Sequence, residues 1–209
     1  MDVGGDFYDV FDVEGAWVLA LGDVRGKGAS AAALTAMVRY SLRALAGGRR
    51  HPSAILASLN EAILRQHQDD EQFCTVVLAR LTRIREGFLT TVCAGGHPLP
   101  FVVRADGTLS KLGAPGGLLG LFPEIPLVEV ATELAPGDAI VFYTDGVTEA
   151  HRGRELFGEE RLAAALAACA GSDPETIAEA VQGAVQEFAE GPRRDDIAVL
   201  VLSVEGSAP

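Results

Sequence analysis

Phe7-Tyr8-Asp9-Val10-Phe11-Asp12-Val13, Glu14-Gly15 and Ala16-Trp17-Val18-Leu19-Ala20-Leu21 read as two strands joined by a tight turn. Gly4-Gly5-Asp6 leads into the first strand, and the second runs on into Gly22-Asp23. If Glu14-Gly15 is the whole turn, Asp6 falls opposite Asp23; a four-residue turn slips the pairing by about two positions. Either way the two carboxylates come close. Like charges opposed across strands are destabilising, so something must compensate for them.

Two more acidic turns flank apolar runs. Ala139-Ile140-Val141-Phe142-Tyr143-Thr144 runs into Asp145-Gly146, and Arg193-Arg194-Asp195-Asp196 opens onto Ile197-Ala198-Val199-Leu200-Val201-Leu202. Asp23 and Asp145 end strands on this reading, whereas Asp6 and Asp195 precede them. In antiparallel sheets all four can share one rim. Gathered carboxylates repel unless a cation lies between them, and an all-oxygen donor set suits Mg²⁺ or Mn²⁺ rather than zinc. The competing reading is that Gly-Asp and Asp-Gly merely punctuate strand ends.

Between these marks, Ala29 to Leu45 has apolar residues at helical spacing. A second helix runs from Ser53 to His67, with Ser53 as N-cap just after Pro52 and an apolar face of Ile55, Leu56, Leu59, Ile63 and Leu64. Strands are expected at Phe73 to Leu81, Gly87 to Ala94, Pro100 to Arg104, Pro126 to Glu133 and Ile197 to Val204. Ala105-Asp106-Gly107 and Pro136-Gly137-Asp138 are turn signals. Helices are expected at Glu159 to Cys169 and Pro174 to Glu190. This order suits an α/β chain of two packed, mainly antiparallel sheets flanked by helices.

At 209 residues the chain can bury one sizeable core. No apolar run reaches the roughly 18 residues of a membrane span, and no secretory leader is visible, so no membrane insertion is expected. Three scattered cysteines fit a reducing cytosol, and a net charge of −12 without a basic stripe disfavours nucleic acid.

Val3-Gly4-Gly5-Asp6-Phe7-Tyr8-Asp9, Gly22-Asp23-Val24-Arg25-Gly26-Lys27-Gly28, Ala94-Gly95-Gly96-His97-Pro98, Tyr143-Thr144-Asp145-Gly146-Val147-Thr148-Glu149 and Asp195-Asp196-Ile197 occur in that order. Together they resemble the SpoIIE/RsbU branch of the metal-dependent protein phosphatases, the PPM family. The resemblance extends through Phe157-Gly158-Glu159-Glu160-Arg161-Leu162. It implies a four-layer α/β/β/α sandwich and hydrolysis of phosphoserine or phosphothreonine by a water bridging two Mn²⁺ or Mg²⁺ ions. Asp6, Asp23, the Val24 carbonyl, Asp145 and Asp195 match the metal ligands. Asp196 is a candidate for a supporting acceptor or a third ion. Asp9 either shapes the rim, bonds a metal water, or is a plain exposed residue. The implied substrate is a phosphorylated STAS-type anti-sigma-factor antagonist in the cytoplasm. Ala29 to Leu45 and Ser53 to His67 are the candidate surface for an upstream sensory domain, a regulator or a homodimer, against the reading of an ordinary packed helix pair. The alternative to an enzyme is a weakly active or inactive signalling and binding domain of the same fold.

Two departures stand out. Ala198 replaces the threonine that usually follows Asp-Asp-Ile, and Arg25 stands where some relatives carry histidine, which leaves the proton donor to the leaving serine unassigned. The chain also starts almost at the first motif. That implies a domain over 1–205 lacking an upstream strand and sensor region, with a C-terminal tail at 206–209.

Cys74 and Arg80 satisfy the cysteine-phosphatase spacing of five intervening residues. Thr75-Val76-Val77-Leu78 is β-branched and apolar, however, and reads as a buried strand rather than a phosphate cradle. Gly22 to Gly28 imitates a P-loop without its hydroxyl residue. His97, beside Pro98 in a turn, is expected to make a structural hydrogen bond rather than ligate metal.

Overall fold

The computed structural model describes residues 5–66, 72–191 and 195–205. His67 and the tail at 206–209 lie outside the described residues.

Strands β1 (Asp6–Val13) and β2 (Ala16–Val24) form the expected hairpin. Glu14 and Gly15 both take positive φ, 52° and 76°, the two-residue turn whose twist matches the strands it joins. That short turn fixes the register, and Asp6 pairs directly with Asp23. Helix α1 (Ala29–Ala46) buries Ala31, Leu34, Val38, Leu42 and Ala46, one stripe at helical spacing. Helix α2 (Pro52–Gln66) buries Ile55, Leu56, Leu59 and Ile63.

Ser53 is not the N-cap of α2. Pro52, with its preset φ and no N–H to satisfy, is already the first helical residue. Ser53 instead donates both its N–H (2.8 Å) and its hydroxyl (2.7 Å) to Glu129 Oε1. The cap comes from a distant strand.

The chain continues through β3 (Cys74–Arg83), β4 (Phe88–Gly95), β5 (Phe101–Val103), β6 (Leu109–Lys111), β7 (Glu129–Leu134) and β8 (Ala139–Tyr143). A short helix α3 (Asp145–Thr148) and a small hairpin, β9 (His151–Arg152) with β10 (Glu155–Leu156), follow. Helices α4 (Gly158–Ala167) and α5 (Pro174–Phe188) lead to the last strand, β11 (Val199–Ser203). Asp145 therefore opens a helix rather than ending a strand, and Asp6 is the first residue of its strand.

One sheet has the order β1-β2-β3-β4-β7 and the other β11-β8-β5-β6, and neighbouring strands in both pair antiparallel. Three apolar clusters separate four layers. Phe7, Phe11, Val76 and Leu78 pack against α1 and α2; Leu19, Leu21, Ile140 and Phe142 fill the space between the sheets; Val141, Tyr143, Leu162 and Val181 join the second sheet to α4 and α5. The result is the α/β/β/α sandwich expected from the sequence.

Candidate metal centre

Asp6 and Asp23 sit at one end of the first sheet, on the face turned toward the second. Their strand parity places them with Leu21 and Leu19, which fill the layer between the sheets. From the second sheet, β8 ends at Tyr143, and Thr144 then turns the chain into α3 with extended backbone and no side-chain cap bond. Asp145 is thus the first residue of α3, and its carbonyl accepts from Glu149 N–H at 2.7 Å.

Thr144 is fully buried and binds the two rims together. Its hydroxyl donates to Asp6 Oδ2 at 2.9 Å and accepts from Ala198 N–H at 2.9 Å, while its own N–H donates to the Ala198 carbonyl. The alanine at 198 therefore still takes part, through its backbone. Thr75 plays a parallel role for Asp23. Its Oγ1 accepts the Asp23 N–H at 3.3 Å and is hydrogen-bonded to His97 Nδ1 at 2.9 Å.

Two glycines let backbone approach where no side chain would fit. A Cβ on Gly5 would lie 2.1 Å from the Val24 carbonyl oxygen and 2.3 Å from Asp23 Oδ1, so glycine keeps that oxygen and that carboxylate side by side. A Cβ on Gly146 would lie 1.9 Å from the Asp196 carbonyl oxygen, which locks α3 against the segment carrying Asp195 and Asp196. Asp195 accepts from the following N–H, that of Asp196, at 2.9 Å.

The electrostatics show the convergence. Burial pushes the Asp6 carboxyl up to about 7, partly opposed by the Thr144 hydrogen bond and reinforced by Asp23, Asp196 and Asp145. Burial, then the charges of Asp145 and Asp195, push Asp23 up to about 6. Asp145 is raised by burial and by Asp195. Carboxylates from both sheets thus repel one another across a shared rim, the condition that a divalent cation relieves. The all-oxygen donors and the Gly5 cradle fit such an ion. Among the described residues, though, no three His, Cys, Asp or Glu groups are gathered tightly enough to enclose one.

Asp9 is not part of this rim. Strand alternation turns it to the opposite face with Phe7 and Phe11, where it is buried and chelated by Arg43 of α1 at 2.7 and 2.6 Å. His97 is structural, as expected. Burial lowers its pKa to about 4, so the ring is neutral, with Nε2 turned to the Tyr143 backbone without a hydrogen bond of full geometry. Arg25 lies over the Phe73 ring at 5.2 Å. The Cys74 thiol is buried in β3 and pushed up to about 12, which removes the thiolate reading. Thr144, Thr75 and Glu129 were missed by sequence reasoning. For Thr144 the signal was present in Tyr143-Thr144-Asp145-Gly146, where the hydroxyl was read only as a strand end. A cavity of about 460 Å³ borders the rim at Gly146 and Asp195, lined also by His151, Arg154, Leu156 and Glu190.

Comparisons with known proteins agree with this architecture. The family model "Stage II sporulation protein E (SpoIIE)" matches residues 13–205. The phosphoserine phosphatase RsbU of Bacillus subtilis is 32% identical over 147 residues, covering 70% of this chain and 43% of that protein. Protein IcfG of Synechocystis is 28% identical over 194 residues, covering 79% of this chain and 30% of its own length. The chain therefore spans less than half the length of either curated relative. Among solved structures, the RsbU and RsbW domains of a Mycobacterium tuberculosis protein match with a TM-score of 0.80 at 26% identity, over 99% of this chain and 57% of that one. The SiaA-PP2C domain of Pseudomonas aeruginosa matches with a TM-score of 0.82 at 24% identity, over 97% of this chain and 80% of that one, a likeness of fold.

Proposed function

The chain belongs to the SpoIIE family of PPM phosphatases, and from that premise we propose that it is a metal-dependent phosphoserine/phosphothreonine protein phosphatase. The observation that carries this reading is the convergence of Asp6 and Asp23 with Asp145 and Asp195 from the second sheet's side: beyond the larger effect of burial, the charges of Asp145 and Asp195 raise the Asp23 carboxyl and that of Asp145 raises the Asp6 carboxyl. Asp6, Asp23, the Val24 carbonyl, Asp145 and Asp195 would hold two ions, Mn²⁺ or Mg²⁺, with Asp196 the candidate ligand for a third. When bound, such a pair supplies the positive charge that makes water nucleophilic near neutral pH and offsets charge on a phosphoryl group. The chain's own part is orientation. Thr144 holds the Asp6 carboxylate, Thr75 holds the Asp23 backbone, and Gly146 lets α3 close on the Asp195 segment. The neighbouring cavity offers room for the residues that flank a phosphorylated side chain.

The substrate read from the branch is a phosphorylated STAS-domain protein, an anti-sigma-factor antagonist, met in the cytoplasm. No described helix is long and apolar enough to cross a membrane. Helices α1 and α2 pack on the sheet that carries Asp6 and Asp23, which suits them as the surface where an upstream sensory domain, a regulator or a second copy acts. A second reading, a domain that holds its ions weakly and is catalytically weak or inactive, is favoured by the open spacing of the carboxylates.

The test is turnover of p-nitrophenyl phosphate and of a phosphorylated STAS protein with Mn²⁺. Asp23→Asn and Asp145→Asn should each abolish turnover while the circular dichroism spectrum is unchanged. Full activity in both variants refutes the assignment, whereas stoichiometric binding of the phosphoprotein without phosphate release selects the second reading.

A further inference from the structure

Arg80, on β3, is 9% exposed, and its Nη1 is buried without a hydrogen-bond partner. Strand parity turns it, with Val76 and Leu78, toward the layer of α1 and α2. It lines a cavity of about 290 Å³ beneath the connection between those helices, together with Arg50, His51, Thr82, Thr91 and Glu129. Glu14 closes one side. Thr91 is the cross-strand partner of Arg80, and Thr82 follows it on the same face of β3.

The acids around the cavity are already engaged. Glu129 Oε1 accepts from Ser53 and Oε2 faces His51 Nδ1 at 3.1 Å, while Glu14 lies 3.8 Å from Arg50. Among the described residues no ion pair joins Arg80. A buried guanidinium is costly unless charge and hydrogen bonds compensate it, and its planar fork suits a phosphoryl or carboxylate group. Arg50 and the two threonine hydroxyls add donors around the same space.

We propose that this cavity is a binding site for a phosphate-type oxyanion, with Arg80 as its central donor and Thr82, Thr91 and Arg50 around it. The Glu14-Gly15 turn beside it lies at the opposite end of the β1–β2 hairpin from Asp6, eight residues away, or roughly 25 Å at strand rise. The site is thus separate from the carboxylate rim. A bound anion would bridge the α1–α2 connection to β3. The same chemistry is available from free phosphate or from a phosphomonoester.

The experiment uses the full chain in EDTA, so that no ion at the carboxylate rim recruits phosphate. Inorganic phosphate, against chloride of equal ionic strength, should raise the thermal unfolding midpoint in proportion to the logarithm of its concentration above the dissociation constant. In the same titration the backbone amide resonances of His51, Thr82 and Thr91 should shift and saturate while that of Asp145 stays in place. Arg80→Met should abolish both responses and Thr91→Val should weaken them at least severalfold. Adenosine monophosphate binding more tightly assigns the site to a phosphomonoester; equal or weaker binding assigns it to free phosphate. Absence of any phosphate-specific shift means that water alone satisfies Arg80 and overturns the proposal, as does an equal response in Arg80→Met. If that variant fails to fold, the wild-type resonances and Thr91→Val decide.

Discussion

Asp6 and Asp23 face each other across a strand pair, and the folded chain holds their protons more tightly than an unfolded chain would. For a carboxyl whose pKa is raised from 3.8 to about 7, stability falls as pH rises through that interval, because ionising it costs more in the folded state. The metal-free protein should therefore lose stability between about pH 4 and pH 7 from these groups, and recover it when Mn²⁺ is added. Asp23→Asn should melt above wild type in EDTA at pH 7.5, by about 1 kcal/mol once solvent screening at the half-buried rim is allowed for. Excess Mn²⁺ should reverse that order. A lower midpoint for the variant in EDTA would show that no repulsion is stored there. Asp6, Asp23, Asp145 and Asp195 were legible as a candidate group because their order and their neighbours, glycine for the first three and a second aspartate for Asp195, form a pattern. Asp9 was open to misreading, since only strand parity and the arrival of Arg43 from α1 show that it faces the helices. Arg80 was legible only as half of a failed motif, because its meaning depends on what surrounds it rather than on its spacing from Cys74.

Helix α2 shows how an element can depend on a distant strand. Its first turn carries no acidic side chain of its own, and Glu129 of β7 receives the Ser53 N–H that would otherwise be unsatisfied. Glu129→Ala should cost about 0.5–2 kcal/mol, as loss of a cap does. For a chain of this length that is a fall of roughly 1–8 °C in the unfolding midpoint. Burial raises the Glu129 pKa, but the bonds from Ser53 and His51 outweigh it and leave the group below its usual 4.5. Its contribution is therefore present above that value and lost as pH falls through the folded pKa. The gap between variant and wild type should accordingly narrow as pH falls below the usual glutamate range, and a gap unchanged by acidification would argue against a charged cap. The long helices and hairpins were legible from periodicity and turn residues. Four-residue α3 and the two-residue strands β9 and β10 are too short to show a period. Pro52 misled the reading of α2 because it hid the true first residue behind a serine that looks like a cap.

At the scale of the molecule, the two sheets contribute unequal halves of one acidic rim. Apolar packing between Leu19, Leu21, Ile140 and Phe142 holds the sheets together and so forces the carboxylates to approach. Strand and helix order made this sandwich legible in the sequence. How tightly the rim closes was not, because it depends on side-chain positions that strand order leaves free. If the proposed ligands are drawn from both sheets, a bound ion would oppose separation of the halves rather than merely order one loop. Saturation with Mn²⁺ at about 100 times its dissociation constant should add about 2.7 kcal/mol to stability, roughly 5–10 °C in the midpoint. The gain should vanish in Asp145→Asn, which alters only the second sheet's share, as well as in Asp23→Asn. A gain retained in full by Asp145→Asn would place the ion on the first sheet alone and break the link between this fold and a shared metal centre. Loss of the gain in both variants, with a single cooperative transition throughout, would identify the rim as the place where the two sheets are coupled.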